Sequence, residues 1–340
     1  MYKGKKIAVI IPSFNVEGHI VQTIHGIPEY VDEIIVVDDC STDNTPRVLQ
    51  QIIDPRLNIL KTLTNLGVGG AMKRGFKKAL ETKSDIIVKI DGDGQMDSSL
   101  LPLFIEPILI FHVDYTKGNR LLHRRHHRKM PPVRLWGNVI LSFLNKMASG
   151  HWYIFDAQNG YVAILASTLA DLDFDRIDDS YFFENSMLVQ LNCLDALVLD
   201  IPMDSVYGNE VSHLRIQQTL WQFPRKLIAS FCYRIWYRHI WYDFTPVGLL
   251  LISGFSLLSF GAVFSVYHWI RAILGETYAS AGTVMMGGLF IILGFQLFLH
   301  GLLLDISWAR RLSTLDGANI RNWMREWQSN RSLYAVFHEE

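Results

Sequence analysis

Asp85-Ile86-Ile87-Val88-Lys89-Ile90-Asp91-Gly92-Asp93-Gly94-Gln95-Met96-Asp97, residues 85–97, is an apolar run that ends in a burst of carboxylates. The first half reads as a strand covered on both faces of a parallel sheet, where aliphatic residues follow one another without alternation. The second half sets Asp91 and Asp93 one residue apart, just past the strand's carboxyl end. Open α/β sheets bind ligands at that end. Two carboxylates so spaced can hold a hard divalent ion that also ligates phosphate oxygens. A lone D-x-D is common on protein surfaces, so its position after a buried strand is what gives it weight.

Upstream, residues 7–11 (Ile-Ala-Val-Ile-Ile) and 33–39 (Glu-Ile-Ile-Val-Val-Asp-Asp) repeat the buried-strand pattern. A helix is expected over 17–27, a short strand over 58–61 and a helix over 67–81. This alternation predicts an α/β fold, a Rossmann-like, mostly parallel sheet with helices on both faces. The polar tip Asp38-Asp39-Cys40-Ser41-Thr42-Asp43 could accept hydrogen bonds from a nucleobase or ribose, or could cap the next helix through Ser41 or Asp43. Asn65-Leu66-Gly67-Val68-Gly69-Gly70-Ala71 suits close approach of a phosphorylated ligand to helix N-terminal amides; a tight turn explains the same glycines.

Downstream the texture changes. Hydrophobic residues make up 49% of the 340, mean hydropathy is +0.16, and the apolar excess lies in the last third. Phe244 to Ile270 carries no charged residue apart from a possible proton on His268, and Thr277 to Leu304 none apart from His300. At about 1.5 Å per residue each run can cross a hydrocarbon core of about 30 Å. Two transmembrane helices are therefore expected over 244–307, after a head of 1–213 and an interfacial segment of 214–243, and before a tail of 308–340. Residues 214–243 mix aromatic and basic residues around an expected break at Pro224. Their faces do not separate as one amphipathic helix, because Arg234 and Arg238 fall near the side of Leu227 and Phe231. Tyr233, Trp236, Tyr237, Trp241 and Tyr242 form the aromatic crowd of a membrane interface. Arg225, Lys226, Arg234 and Arg238 precede the first run and Arg310 and Arg311 follow the second, so both termini and the head are expected on the cytoplasmic side.

A net charge of -1 gives no bulk drive toward nucleic acid. Three scattered cysteines, Cys40, Cys193 and Cys232, suggest neither a disulfide framework nor a zinc site. The first apolar run is too short for a signal peptide, so the head should stay where it is made. Gly282, Gly287 and Gly288 could pack two hairpins into a homo-oligomer.

Taken together, Ile11-Pro12-Ser13-Phe14-Asn15, Val37-Asp38-Asp39-x-Ser41, Asn65-x-Gly67-x-Gly69-x-Ala71, Asp91-x-Asp93-x-Gln95, Gly118-Asn119-Arg120 and the C-terminal hairpin resemble the family 2 glycosyltransferases of the GT-A fold. The resemblance covers nearly the whole chain and is strongest to the polyprenyl-phosphate glycosyltransferases. It implies transfer of a sugar from a nucleoside diphosphate donor to a polyprenyl phosphate in the bilayer. Pro12, Phe14 and Asp39 would line the nucleotide pocket with Asp91 and Gly92, and Asp91, Asp93 and Gln95 would bind Mg2+ or Mn2+ and the donor diphosphate. Arg120 and Arg134 would grip the acceptor phosphate, for which arginine's fork of donors is suited.

The chain departs from the family pattern in places. Val16 stands where an acidic residue is usual, and Glu17, one further on, is carried as a ribose contact. Near the end of the catalytic domain the relatives place an arginine and a Ser-Lys pair, but Val206 to His213 offers only His213 as cationic help. Asp156, in Asp156-Ala157-Gln158-Asn159-Gly160, could meet the sugar or serve an ordinary turn. Glu184 lies where many inverting relatives keep a base, which a phosphate acceptor does not need. The run His123 to Lys129 reads as a basic loop for anionic lipid or phosphate rather than a metal site.

Overall fold

The computed structural model describes residues 1–120, 132–203, 216–275, 278–309 and 314–329, with the side chains of 132–139, 216–221, 314–317, 321 and 328–329 left outside. The order of elements is β1 (Ile7–Ser13), α1 (Ile20–His25), β2 (Glu33–Asp38), α2 (Thr45–Gln50), β3 (Leu57–Lys61), α3 (Gly67–Glu81), β4 (Ile86–Lys89), α4 (Leu101–Ile110) and β5 (Tyr115–Asn119). There follow α5 (Pro132–Ser149), β6 (Val162–Leu165), α6 (Ala166–Ala170), α7 (Phe183–Cys193), β7 (Val198–Pro202), α8 (Ile216–Trp236), α9 (Pro246–Ile273), α10 (Ala281–Trp308) and α11 (Thr314–Ser329).

The seven strands form one sheet in the order β3-β2-β1-β4-β6-β5-β7. All neighbours pair parallel except β6, which runs antiparallel to β4 and β5. The expected α/β sheet is present, and the reversed β6 has a consequence for the site. Its amino end, rather than its carboxyl end, lies beside the tips of β4 and β5. Ile7, Val9 and Ile11 of β1 enter one core with α1 and α4, while Ala8 and Ile10 enter another with α3 and α7. Both faces of the sheet are thus dry, and each fully buried aliphatic side chain contributes about 1.5–3 kcal/mol.

The chain divides into two compact units, Met1–Ser230 with Arg310–Glu340, and Phe231–Ala309. The break expected at Pro224 is absent, and α8 runs on through it. Leu227 of α8 packs with Ala148 and Phe182 in the first unit, and Ile235 packs with Val247 and Leu251 in the second. The segment expected as a tail, 308–340, contains α11. Helix α11 buries Ile320 and Trp327, and Trp327 joins the same core as α1 and α4. Its Trp323 Nε1 donates to Glu106 Oε2 on α4 at 3.0 Å, and its ring meets Phe111 edge-on at 6.1 Å.

In the second unit α9 and α10 are 28 residues each with mean hydropathy 2.1, long and apolar enough to cross a membrane. Glycines at seven-residue spacing let their backbones touch. A Cβ on Gly294 would lie 2.5 Å from the Leu258 backbone nitrogen, and one on Gly254 would strike the Phe298 backbone. Gly287 also packs within the hairpin, where a Cβ would strike the Ser265 side chain. At one end of the pair sits a buried polar cluster. Arg234 Nη1 and Nη2 donate to Asp305 Oδ1 and Oδ2 at 2.7 and 2.9 Å. His239 Nε2 lies 3.3 Å from the same carboxylate, and its Nδ1 lies 2.9 Å from Thr245 Oγ1. That threonine is the N-cap of α9.

Candidate active site

Most of the residues singled out in the sequence lie along one edge of the sheet, where β1, β2, β4, β5 and β7 end and β6 begins. Two loops on this edge are stitched together. Asn15, in a left-handed conformation at φ 54°, accepts from the Thr42 amide at 2.8 Å and the Asp43 amide at 3.3 Å. The amides of Asn15 and Val16 donate to Ser41 Oγ and Thr45 Oγ1. Glu17 takes part through its own carboxylate, which accepts from the Asn44 amide at 2.8 Å. Pro12 pairs in register with Val37, and the Phe14 ring stands 46% exposed just beyond it. Gly92 is buried under these loops, close against Ser13, Ile11 and Val16.

Asp39 is only 3% exposed. Its carboxylate accepts from Thr62 Oγ1 at 2.9 Å, from the Leu66 amide at 2.9 Å and from the Gly67 amide at 2.8 Å. A carboxylate at a helix N-terminus satisfies orphan amides and meets the positive end of the helix dipole. The next amides, Gly69 and Gly70, donate to the Asp179 carbonyl. The glycine-rich start of α3 is therefore a close-packed turn in which these amides bind the protein itself. Gly67 has φ +81°, and a side chain at Gly69 would strike the backbone of Asp178.

The acidic loop after β4 curls on itself, the Gln95 amide donating to Asp93 Oδ1 at 3.0 Å. Asp91 is held from below. Lys89 Nζ lies 2.7 Å from Asp91 Oδ1 and 3.3 Å from Glu184 Oε1, and the lysine is 2% exposed. Burial opposes its charge, but the two carboxylates outweigh that and hold its pKa above the usual lysine value. Glu184, on the first turn of α7, is 8% exposed.

Lys117 stands in the same row. Both Lys89 and Lys117 are paired in register with Val162, so the two side chains share a face of the sheet. Lys117 Nζ donates to the Asn159 carbonyl. Burial pushes its pKa down to about 8, against the pull of Glu184, Asp156 and Asp200. Asp200, on β7, is pushed up to about 6 by burial, although it accepts from the Phe155 amide at 3.2 Å and Asn119 Nδ2 at 2.5 Å.

Arg120 follows β5 and is engaged by Asp156. Nε donates to Oδ2 at 2.8 Å, Nη2 to Oδ1 at 3.0 Å and the backbone amide to Oδ2 at 3.2 Å. Burial alone would raise the Asp156 carboxyl, but Arg120, helped by Lys117, holds it below the usual range. Arg134 falls on α5 with its side chain outside the described residues, as are His213 and the run 123–129.

Among the described residues no three His, Cys, Asp or Glu side chains converge as a metal cage. Two carboxylates on one loop nevertheless fit Mg2+ or Mn2+. Such an ion takes one or two protein carboxylates and fills its remaining positions with substrate phosphates and water. Sequence reasoning missed Lys89, Lys117 and Asp200. Their signal was a single charge inside a strand, in β4 and β7 the one charge of an otherwise apolar run, and such a charge must find a partner when buried.

A dry, mostly parallel sheet with stitched loops and an acidic pair past its carboxyl edge is an α/β architecture of the kind that binds ligands at that edge. The chain belongs to glycosyl transferase family 2, whose pattern matches residues 8–172, and it is a glycosyltransferase. It is 32% identical over 180 residues to the UDP-N-acetylglucosamine–dolichyl-phosphate N-acetylglucosaminyltransferase of Methanococcus voltae, covering 48% of this chain and 71% of that one. It is 28% identical over 212 residues to the undecaprenyl-phosphate mannosyltransferase of Micrococcus luteus, covering 59% and 84%. The fold is similar to glucosyl-3-phosphoglycerate synthase from Mycobacterium tuberculosis, crystallised with Mn2+ and UDP. That match has a TM-score of 0.50 and 21% identity over 68% of this chain and 80% of that one.

Proposed function

We propose that the chain moves a sugar from a nucleoside diphosphate donor onto a polyprenyl phosphate, inverting the anomeric carbon. The observation that carries this is a spacing along the sheet edge. Arg120 follows β5 and Asp91 follows β4, with only β6 between those strands. Two strand spacings, roughly 10 Å, separate a guanidinium fork from the acidic loop. A sugar ring fits between a donor diphosphate at one and an acceptor phosphate at the other.

In this reading Pro12, Phe14, Glu17, Asp39, Asp91 and Gly92 surround the nucleotide. Asp91, Asp93 and Gln95 hold Mg2+ or Mn2+, which when bound offsets the charge on the departing nucleoside diphosphate. Arg120 and Arg134 grip the acceptor phosphate, Asp156 orients Arg120, and His213 adds charge near the phosphates. A phosphate dianion is a nucleophile near neutral pH without help from a base. The burial of Glu184 against Lys89 suits that, because a base for a hydroxyl acceptor must reach the acceptor. The polyprenyl-phosphate enzymes among the relatives support the acceptor class.

The helices α9 and α10 are read as two spans with the catalytic unit and both flanks cytoplasmic. Beyond the basic residues on both flanks, this is supported by α11, which follows the hairpin yet belongs to the same compact unit as the head.

The test incubates purified protein in detergent with Mg2+ or Mn2+, radiolabelled UDP- and GDP-sugars and a short undecaprenyl or dolichyl phosphate, then extracts the organic phase. Label is expected there and is lost with EDTA or Asp93→Ala. Nucleotide-sugar binding with no label in the organic phase across the panel overturns the acceptor assignment, leaving a hydroxyl acceptor or a binding protein without turnover.

A further inference from the structure

The turn 156–160, which leads into β6, meets both halves of the site. At its first residue the Asp156 carboxylate holds Arg120. At its last, Gly160 packs against the loop after β4, where a side chain would collide with Lys89 Nζ and lie 2.7 Å from Asp91 Oδ2. The neighbouring strand β5 grips this turn from three positions. Lys117 Nζ donates to the Asn159 carbonyl. The Gly118 amide donates to the Tyr161 carbonyl at 2.8 Å, and a Cβ on Gly118 would lie 2.8 Å from Asn159 Nδ2. The Arg120 amide donates to Asp156 Oδ2 at 3.2 Å.

Lys117 is fully buried, at 0% exposed. Burial opposes its charge most strongly and Lys89 of β4 adds to that, while Glu184 of α7, Asp156 of the turn and Asp200 of β7 favour it. An aliphatic side chain would fill the same space without the cost of desolvating an ammonium. We infer that Lys117 is a positioning residue for sugar transfer: its ammonium fixes the 156–160 turn and, through Asp156, aims Arg120 at the acceptor phosphate. It acts through Asn159 and Asp156 rather than on substrate. Near neutral pH the ammonium is charged, and that charge is lost as pH rises through about 8. The neutral amine still donates to the Asn159 carbonyl, but without charge assistance, and it no longer attracts the Asp156 carboxylate.

This role rests on the acceptor half of the proposed function, and the test separates the two. The full chain in detergent is first assayed at neutral pH for labelled lipid product. If the wild type forms none, the acceptor assignment fails and takes this role with it. With product formed, kcat and KM for the lipid phosphate are measured at saturating donor and Mg2+ from roughly pH 6 to roughly pH 10. In the wild type kcat/KM is expected to fall roughly threefold or more as pH passes about 8. In Lys117→Arg, whose guanidinium keeps its proton, that fall disappears. Lys117→Met removes the fall as well, raises KM for the lipid phosphate roughly tenfold at neutral pH and leaves KM for the nucleotide sugar within about twofold. A side chain that only fills the core predicts instead an unchanged acceptor KM in Lys117→Met, or equal damage to both substrates. Either result overturns the inference, as does a fall near that pH that persists in both variants. Asp200→Asn provides an independent reading if Lys117→Met does not fold. It removes a carboxylate that favours the charged ammonium, so the fall is expected to move down by roughly half a pH unit. A fall that stays in place overturns the inference.

Discussion

Lys89 and Arg234 are both fully buried cations facing carboxylates, one at the ligand edge of the sheet and the other at the end of the helical hairpin. Arg234 meets a single acid, Asp305, with two parallel hydrogen bonds, and His239 and Thr245 complete the set. Lys89 meets two acids unequally, and one of them lies half-open just past the carboxyl end of β4. A forked guanidinium on one carboxylate makes a closed unit with a fixed angle. A point charge shared between two carboxylates can shift its weight when a third charge arrives. The pair in the hairpin therefore suits architecture, and the one in the sheet suits chemistry.

The harshest test of that contrast is Arg234→Ala. It strands Asp305 and is expected to cost about 3–5 kcal/mol, read as a large fall in unfolding temperature in detergent. A variant that unfolds like the wild type would dissolve the distinction. Arg120→Ala comes next. Losing a charge-assisted fork is expected to lower kcat/KM for the lipid phosphate on the order of 10- to 100-fold, with UDP affinity unchanged by titration. Thr245→Ala removes the cap of α9 and a partner of His239, and should cost about 1–2 kcal/mol in the same unfolding assay.

The smallest expected effect sharpens the sheet side of the comparison. Burial raises the Asp200 carboxyl in the folded state from the usual aspartate range to about 6, so the fold favours its neutral form. That contribution is full below the unfolded value and is lost as pH rises through about 6. Asp200→Asn cannot ionise and should gain about 1 kcal/mol over the wild type near pH 7.5, with the gain gone by about pH 4. A gain that is flat with pH places the cost elsewhere.

The sequence was most legible where burial leaves a continuous signature. The strand expected over 33–39 spans Glu33–Asp38, and the helix over 67–81 has those bounds. The reversal of β6 was invisible, since its four residues look the same in either direction. The acid at the tip of β2 could be seen, but not that Asp39 would bond the amides of Leu66 and Gly67. Side-chain pairs across long stretches of chain leave no local pattern. Arg234 spoiled the expected amphipathic face of its helix because its partner, Asp305, lies 71 residues away. Lys89 broke an apolar strand because Glu184 lies 95 residues on. Each misfit in the local pattern marked a residue whose partner was distant.

The helix α11 bears on how the protein is made. Trp327 sits in the same apolar core as β1, β4 and α4, although the two long apolar helices separate it in sequence from the end of the sheet at Pro202. At about 5–20 residues per second, roughly 6 to 25 s of translation pass between the completion of the last strand and the arrival of that tryptophan. During this interval the core of the sheet lacks one of its side chains while α9 and α10 are being made. A chain that ends before α11 lacks that tryptophan, so a truncation beyond the two long helices acts on the packing of the sheet itself.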